Sequence, residues 1–298
     1  MKGKIIQIDS NVSFVLTEEQ KIYEVFIKGN VKKEIKPLVG DDVEFELIEN
    51  EKGNITKILS RKNEIYRPRI ANVDQVIIVT SLFEPLFASY ILNKYIFMIE
   101  AKKIKPILLF TKNELLVKTK YYDEVTNKIN SYKELGYEIV VLDNIENKNY
   151  LNEIDNLRKK MIDKVSFFTG QTGAGKSTTL NNYLFQYQIK TNEISLKLNR
   201  GKHTTTNVKI YNLPDNILIA DTPGFSSFEL VNLEIEDILR TSKILNNFNN
   251  HCKFIDCIHI HEKKCGVKEA VEQNKIPDFI YEDYKKIYEE ISNRKVKY

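Results

Sequence analysis

Residues 165–178 carry the clearest chemical signature in the chain. They read VSFFTGQTGAGKST, in which Gly170, Gly175, Lys176 and Ser177 match the phosphate-binding pattern G-x4-G-K-[ST]. The glycines let the backbone curl so that several N–H groups point at one phosphate, while Lys176 adds positive charge and the Ser177 hydroxyl ligates Mg²⁺. An apolar run precedes the loop and a helix is expected after it, which argues against a fortuitous glycine-rich turn. The predicted nucleotide-binding residues of this P-loop are Gly170, Gln171, Thr172, Gly173, Ala174, Gly175, Lys176, Ser177 and Thr178.

Two downstream segments complete a site for a nucleoside triphosphate with Mg²⁺. The apolar run 217–220 leads into Asp221-Thr222-Pro223-Gly224, and an aspartate at the end of such a strand fits the Mg²⁺-side carboxylate of a P-loop NTPase. The Gly224 N–H is placed to sense a γ-phosphate. Thr205 belongs to the His-Thr-Thr-Thr stretch 203–206, and a threonine in such a loop reaches Mg²⁺ only while the γ-phosphate is present.

A further segment predicts guanine as the base. The apolar run 107–110 ends in Thr111, Lys112, Asn113 and Glu114, where GTPases use an Asn/Thr-Lys-x-Asp pattern. The carboxylate accepts hydrogen bonds from guanine groups that adenine lacks, and the lysine stem packs on the base. Glu114 keeps the charge of the usual aspartate on a side chain one methylene longer. Taken alone, the same residues also fit an ordinary strand-to-helix loop.

Cysteine and histidine cluster near the C-terminus. All three cysteines and three of the four histidines lie between His251 and Cys265. The spacing Cys252-x4-Cys257-x-His259-x5-Cys265 supplies three thiolates and an imidazole, which suits one tetrahedral structural Zn²⁺. His251 and His261 are alternative imidazole ligands. The competing interpretation is three ordinary buried thiols.

Three kinds of sequence pattern predict the structural elements that position these residues. Residues 1–67 show about five short apolar runs separated by turn signals, which indicates a small β-barrel such as the oligonucleotide-binding (OB) type. After Arg67, apolar strands alternate with helical stretches, which indicates a parallel sheet covered by helices. From about Leu239 the chain holds the Cys/His cluster and a helix opened by Pro277, whose apolar stripe is Ile280, Tyr284, Ile287, Tyr288 and Ile291.

Composition excludes several classes of protein. The chain has 298 residues, of which 42% are apolar and 29% charged, and its net charge is only +4. No apolar stretch approaches the ~20 residues that span a bilayer, and the N-terminus has no signal-peptide core. Three close cysteines do not form a secreted disulfide framework. We expect a cytoplasmic monomer without a membrane partner, and the mild charge does not by itself indicate RNA.

The order of the motifs differs from that of an ordinary GTPase. The base-reading motif at 111–114 precedes the P-loop, whereas it usually follows the Asp-Thr-Pro-Gly motif. A circular permutation of the same sheet explains this order. We therefore predict a multidomain protein with an OB-type β-barrel at 1–67, a central α/β P-loop GTPase domain, circularly permuted, at 68–238, and a mostly helical zinc-binding domain at 239–298.

These motifs and their order resemble the RsgA/YjeQ-type circularly permuted GTPases, which act with the bacterial small ribosomal subunit. The resemblance spans nearly the whole chain, and implies His259 as the fourth metal ligand. The chain departs from the family pattern at Glu114 and in the second base loop, Val141-Leu142-Asp143-Asn144. The resemblance rests on the P-loop, Thr111-Lys112 and the Cys/His segment, together with four further motifs. These are Val39-Gly40-Asp41, Ala71-Asn72-Val73-Asp74-Gln75, Gly201-Lys202-His203-Thr204-Thr205-Thr206 and Asp221-Thr222-Pro223-Gly224-Phe225-Ser226.

The catalytic residue is the least defined part of the predicted site. Ras-like enzymes place a water-orienting glutamine where this chain has Phe225, whose ring forms no such hydrogen bond. The resemblance points to His203 as the group that positions or activates water. The alternative role for His203 is a contact with a partner.

Two functions follow for the whole chain. The first is a GTP hydrolase that binds the small ribosomal subunit and its rRNA, assists late maturation, is stimulated by the subunit and is released after hydrolysis. The second is a non-catalytic RNA-binding scaffold with an occupied but idle nucleotide site. In either case the barrel could contact RNA through Tyr23, Phe26, Phe45 and Lys28, although Phe26 and Phe45 also fit the barrel core. The alternative is a barrel that serves only for packing.

Overall fold

The computed structural model describes residues 1–27, 35–49, 52–66, 68–143, 148–181, 208–221 and 233–295. The strands are β1 (Lys2–Asp9), β2 (Val12–Leu16), β3 (Ile22–Ile27), β4 (Asp42–Glu49), β5 (Lys52–Ile58), β6 (Glu64–Ile65), β7 (Ile70–Ala71), β8 (Gln75–Ser81), β9 (Lys105–Thr111), β10 (Glu138–Val141), β11 (Val165–Gly170), β12 (Lys209–Leu213) and β13 (Ile217–Asp221). The α-helices are Ser89–Ala101, Asn113–Leu116, Tyr122–Glu134, Lys148–Met161, Ile235–Thr241, Lys243–Asn249, Gly266–Glu272 and Asp278–Lys295, and residues 176–181 are also helical.

The chain divides into two compact units. One consists of Met1–Val76, Ile154–Thr169 and Lys176–Ser226, and the other of Ile77–Glu153, Gly170–Gly175 and Ser227–Tyr298. This division follows spatial contacts rather than the three sequence segments predicted above, so the predicted domain boundaries remain predictions.

The first unit contains the predicted N-terminal barrel. Strand β1 pairs with both β2 and β4, β3 pairs with β2 and β5, and β4 pairs with β5, so that five strands close on themselves. A register shift between Ile5 and Gln7 interrupts the pairing of β1 with β2, and irregularities of this kind increase the local bend of a strand. The alternating inward residues form the core, which consists of Ile5, Val15, Tyr23, Val25, Val43, Phe45, Ile55 and Ile58.

Two aromatic residues that were candidates for RNA stacking lie in this core instead. Tyr23 is 8% exposed and Phe45 is 1% exposed, and their rings lie 5.6 Å apart. Both point inward because each occupies an inward position of an alternating strand. Phe26 is 39% exposed and stays available for contacts. Lys28 lies outside the described residues.

A buried ion pair fixes the segment that follows the barrel. Asp41 is fully buried and accepts hydrogen bonds from Arg61 Nε (2.7 Å), Arg61 Nη2 (2.8 Å) and the Leu38 N–H (2.7 Å). The neighbouring Gly40 has φ +92°, and a Cβ there would lie 2.0 Å from the Ala71 carbonyl oxygen. The Val39-Gly40-Asp41 motif is therefore a tight turn in which only glycine fits at position 40, and the buried Asp41 carboxylate stabilises it.

The first unit also contains strands β11, β12 and β13, which lie outside the barrel. Strand β11 is parallel to β13, and β12 is antiparallel to β13. Strand β12 also meets barrel strand β1, where Gln7 pairs with Lys209. The sequence pattern predicted a parallel sheet and did not predict β12, whose partly polar sequence KIYNL lacks the continuous apolar run of its neighbours.

The second unit combines part of the parallel sheet with the C-terminal helices. Strands β8, β9 and β10 are neighbours in that order, and β9 and β10 are parallel. The helix predicted after Pro277 spans Asp278–Lys295. Its stripe residues Ile280, Tyr284, Ile287 and Ile291 are buried, while Tyr288 is half-buried. None of the helices in the described ranges is long and apolar enough to span a bilayer.

A buried carboxylate ties helix Ser89–Ala101 to the C-terminal helices. Glu100 is 7% exposed, and its oxygens accept hydrogen bonds from the Tyr137 hydroxyl (2.9 Å) and the Lys243 N–H (3.0 Å). Burial raises the pKa of Glu100 to about 7, although both hydrogen bonds oppose the shift. Asn93 on the same helix donates to Asp283 (2.9 Å), so a second buried polar contact fixes the packing.

Candidate functional site

The P-loop begins where strand β11 ends. Every residue of β11 is buried, so the strand is fixed in the sheet and delivers Gly170 to its edge. Gly170 has φ +151°, and a Cβ there would lie 2.1 Å from the Val79 carbonyl oxygen. Gly173 and Gly175 also have positive φ, and the Ala174 N–H donates to the Gln171 carbonyl (3.1 Å). The described backbone therefore has the curled form that phosphate binding requires.

The helix after the loop presents its polar residues to solvent. Helical structure starts at Lys176, where Ser177 and Thr178 are exposed and the next two residues, Thr179 and Leu180, are buried anchors. Burial lowers the pKa of Lys176, and the nearby Asp221 carboxylate opposes that shift. Asp221 is the last residue of β13, the position expected for the carboxylate on the Mg²⁺ side.

Thr111 joins the base-reading motif to the P-loop. It is fully buried, and its hydroxyl donates a 2.6 Å hydrogen bond to the Ala174 carbonyl. Thr111 was predicted as a nucleotide contact, and that role stays a prediction; in the structure its hydroxyl is bonded to the predicted P-loop. The contact links residues 63 positions apart, which is why the local sequence pattern gave no sign of it.

The remaining residues of the predicted base-reading motif follow Thr111 at the end of β9. Lys112 has φ +60° and precedes the short helix Asn113–Leu116, and its ammonium donates to the Glu84 carbonyl. Asn113 donates through its side-chain amide to Asp143 (3.2 Å), in the predicted second base loop. Glu114 is half-buried in the first turn of this helix. Sequence analysis did not identify Glu84 as a partner of Lys112.

Several predicted residues lie outside the described residues. They are the candidate catalytic His203, the Mg²⁺ candidate Thr205, the phosphate sensor Gly224 and the neighbouring Phe225. Their roles remain predictions.

The four predicted metal ligands come together in the C-terminal segment. The ligand atoms of Cys252, Cys257, His259 and Cys265 all lie within 4.8 Å of one another. The Cys252 and Cys265 sulfurs are 4.0 Å apart, and His259 Nδ1 lies 3.6 Å from the Cys252 sulfur and 3.3 Å from that of Cys265. His251 and His261 are exposed, whereas His259 is buried, so the structure decides among the three histidines.

These distances fit one tetrahedral ion. With Zn–S near 2.3 Å and Zn–N near 2.0–2.1 Å, tetrahedral angles place two sulfurs about 3.8 Å apart and a sulfur and a nitrogen about 3.6 Å apart. Burial raises the pKa of the Cys257 and Cys265 thiols, which disfavours thiolates in the absence of a cation. Burial also lowers the pKa of His259, which favours the neutral ligand form. The donor set is therefore built for a metal ion.

Backbone contacts hold the loop that carries His259. His259 has φ +62°, a left-handed conformation that is costly for a residue with a side chain. Its carbonyl accepts from the Tyr281 hydroxyl (2.7 Å), and the Ile258 carbonyl accepts from the Tyr284 hydroxyl (2.6 Å). The Glu262 carboxylate accepts three backbone N–H groups of the same loop. The four ligands were predicted from the sequence, whereas these supporting residues were not.

Comparison with known proteins covers the whole chain. The RsgA GTPase family matches residues 58–231, and the RsgA N-terminal domain family matches residues 2–55. A protein of Bacillus velezensis named small ribosomal subunit biogenesis GTPase RsgA is 37% identical over 100% of this chain and 99% of its own length. A protein of the same name from Bacillus cereus is 40% identical with the same coverage.

Solved structures agree with these sequence relatives. The crystal structure of YloQ, a circularly permuted GTPase, has a TM-score of 0.83 and 30% identity, and covers 100% of this chain and 96% of its own. YjeQ from Thermotoga maritima has a TM-score of 0.80 and 28% identity, with 97% and 98% covered. The two matches cover both the N-terminal barrel and the permuted GTPase fold of the present chain.

Proposed function

Since the chain belongs to the RsgA family of circularly permuted GTPases, we propose that it couples GTP hydrolysis to late maturation of the small ribosomal subunit. One observation carries the nucleotide part of this proposal. Thr111 precedes the P-loop in sequence, yet its hydroxyl is bonded to Ala174 within that loop. This contact supports the proposal that the base-reading and phosphate-binding motifs serve one nucleotide despite their permuted order.

The residues divide into groups by the part of GTP that they hold. Backbone N–H groups of the P-loop and the Lys176 ammonium bind the phosphates. Ser177 and Thr205 supply hydroxyl ligands for Mg²⁺, with Asp221 on the same side. When bound, the ion neutralises charge that develops on the phosphates. Lys112, Asn113 and Glu114 lie at the base, and Gly224 senses the γ-phosphate.

His203 is the proposed group for positioning the attacking water. A phenylalanine, Phe225, stands where Ras-like enzymes use glutamine, so hydrolysis by the isolated protein should be slow. Docking on the small subunit would bring His203 into its working position and stimulate turnover. GTP would hold the protein on the subunit, and hydrolysis would release it.

We also propose Zn²⁺ as the ion of the Cys/His cluster. Three thiolates and one imidazole leave no ligand position open, so the ion is structural rather than catalytic. The barrel and the metal-binding segment would contact rRNA, and the protein would act as a cytoplasmic monomer. Phe26 is the exposed aromatic of the barrel candidates.

The decisive experiment measures GTP turnover with and without purified small subunits. The wild-type protein should be stimulated by small subunits and not by large subunits. His203→Ala should lose most of the stimulation while it keeps its affinity for GDP. Stimulation that stays intact in His203→Ala would remove this residue from the mechanism.

The competing function is an RNA-binding scaffold with an idle nucleotide site. It predicts wild-type binding to small subunits with no rise in GTP turnover. Lys176→Ala, which removes the phosphate-binding charge, serves as the matched control because it should abolish turnover in either assay.

A further inference from the structure

We infer that Glu262 is the positioning residue of the metal centre, acting on the ligand His259 through the loop backbone. Glu262 is not one of the four ligands. The inference concerns the metal site proposed above and goes beyond the identity of its ligands.

The Glu262 carboxylate accepts three hydrogen bonds from the backbone around His259. One carboxylate oxygen accepts from the Ile258 N–H (2.8 Å), and the other accepts from the N–H groups of Ile260 (3.0 Å) and His261 (3.1 Å). These donors come from the residues on both sides of His259. Hydrogen bonds to an ionised acceptor are the stronger kind, so Glu262 clamps the loop around this one ligand.

This clamp maintains the backbone conformation of His259. With φ +62°, His259 has a left-handed backbone, which is costly for a residue with a side chain. A conformation of this kind persists only when its surroundings hold it. The Tyr281 hydroxyl contributes by donating to the His259 carbonyl (2.7 Å). In this conformation the ring places Nδ1 against the Cys252 and Cys265 sulfurs.

The imidazole ring of His259 has little other support among the described residues. His259 Nε2 is buried and has no hydrogen-bond partner among the described residues. Metal-bound histidines are usually oriented by a partner on the second ring nitrogen. Here the orientation of the imidazole must come from its backbone, and Glu262 is the charged side chain that fixes that backbone.

The test measures metal affinity rather than GTP turnover. Zn²⁺ affinity is determined on the full-length protein by competition with a chromophoric chelator, and Co²⁺ is bound in parallel to record the absorption spectrum of the ligand set. Glu262→Gln places an amide N–H₂ group against a backbone donor. We expect it to weaken Zn²⁺ binding about 10- to 100-fold, the usual effect of losing an outer-shell partner, and to alter the Co²⁺ spectrum.

Two further variants keep this test interpretable. Glu272→Gln makes the same substitution at an exposed position of the same segment, and should bind both metals like the wild-type protein. Glu262→Asp retains the charge but is too short to reach all three donors, so its affinity should lie between those of the wild type and Glu262→Gln. Retained GDP binding in each variant shows that the rest of the chain is folded.

A double-mutant cycle tests whether Glu262 acts through His259. In a His259→Ala background, the added change Glu262→Gln should have little further effect on affinity. An equal loss in both backgrounds would overturn the inference and assign Glu262 a general role in loop stability. Unchanged affinity and an unchanged Co²⁺ spectrum in Glu262→Gln would overturn it as well. Absence of stoichiometric metal in the wild type would instead refute the metal site itself.

Discussion

The hydrogen bond between Thr111 and the P-loop leads to a quantitative prediction for Thr111→Val. Valine has nearly the shape of threonine but no hydroxyl, so the substitution leaves the Ala174 carbonyl buried without its 2.6 Å donor. Leaving such a group unsatisfied costs about 1–3 kcal/mol. If the loop needs this contact to keep its phosphate-binding form, the same free energy appears as a loss of affinity of roughly 5- to 150-fold.

The assay is titration with a fluorescent GDP analogue. Thr111→Val should bind it more weakly by this factor, whereas Thr111→Ser keeps the hydroxyl and should bind within a few-fold of the wild type. Thermal unfolding of the nucleotide-free proteins separates a local effect from global loss of structure. The reasoning fails if Thr111→Val binds GDP like the wild type, because the bond would then not contribute to the binding form of the loop.

Three other predictions concern stability. Burial raises the pKa of Glu100 to about 7 from an ordinary value of 4.5. The native state therefore holds this proton more tightly than the unfolded chain does. The free energy of unfolding should fall by up to about 3 kcal/mol as pH rises from about 4.5 to about 7. Glu100→Gln should flatten that part of the pH profile in urea unfolding, and an unchanged slope would contradict the assignment. Arg61→Met leaves Asp41 buried without its partner and should cost about 3–5 kcal/mol, whereas Lys62→Met, at a half-exposed ion pair, should cost less than about 1 kcal/mol in the same measurement. Removal of the metal with a strong chelator should lower the unfolding temperature and make the three cysteine thiols of the chain reactive to a thiol reagent. Thiols that react equally fast before chelation would contradict a metal-bound cluster.

Most strands were predictable because burial imposes a simple pattern on them. Strands β2 and β3 span Val12–Leu16 and Ile22–Ile27, the same bounds as the apolar runs in the sequence. The buried strands of the parallel sheet were found for the same reason. Strand β12 was not predicted, because its pairing is antiparallel and its sequence is partly polar. The direction of Phe26 and Phe45 was left open, since an aromatic residue in a strand can face either side of a barrel wall, and the expected RNA contact of Tyr23 was wrong because its ring lies in the core.

The metal ligands were predictable and their supporting residues were not. Cysteine and histidine are rare in this chain, so their clustering and spacing identified Cys252, Cys257 and Cys265 with few alternatives. Glu262 and Thr111 act through backbone groups that any residue type could supply, and no local pattern marks such contacts. The exposed positions of His251 and His261 became evident only from the fold.

The pairing between β1 and β12 has a consequence for how the protein can be divided into fragments. Barrel strand β1 meets β12 at Gln7 and Lys209, and the barrel residue Gln20 contacts Asn212 and Asn216 beside it. A fragment that begins after the barrel would leave this side of β12 with unpaired backbone groups, a free strand edge that recruits other chains. We therefore expect the fragment without the barrel to self-associate. If this fragment is inactive in solution, the inactivity will reflect aggregation as well as the loss of a binding surface.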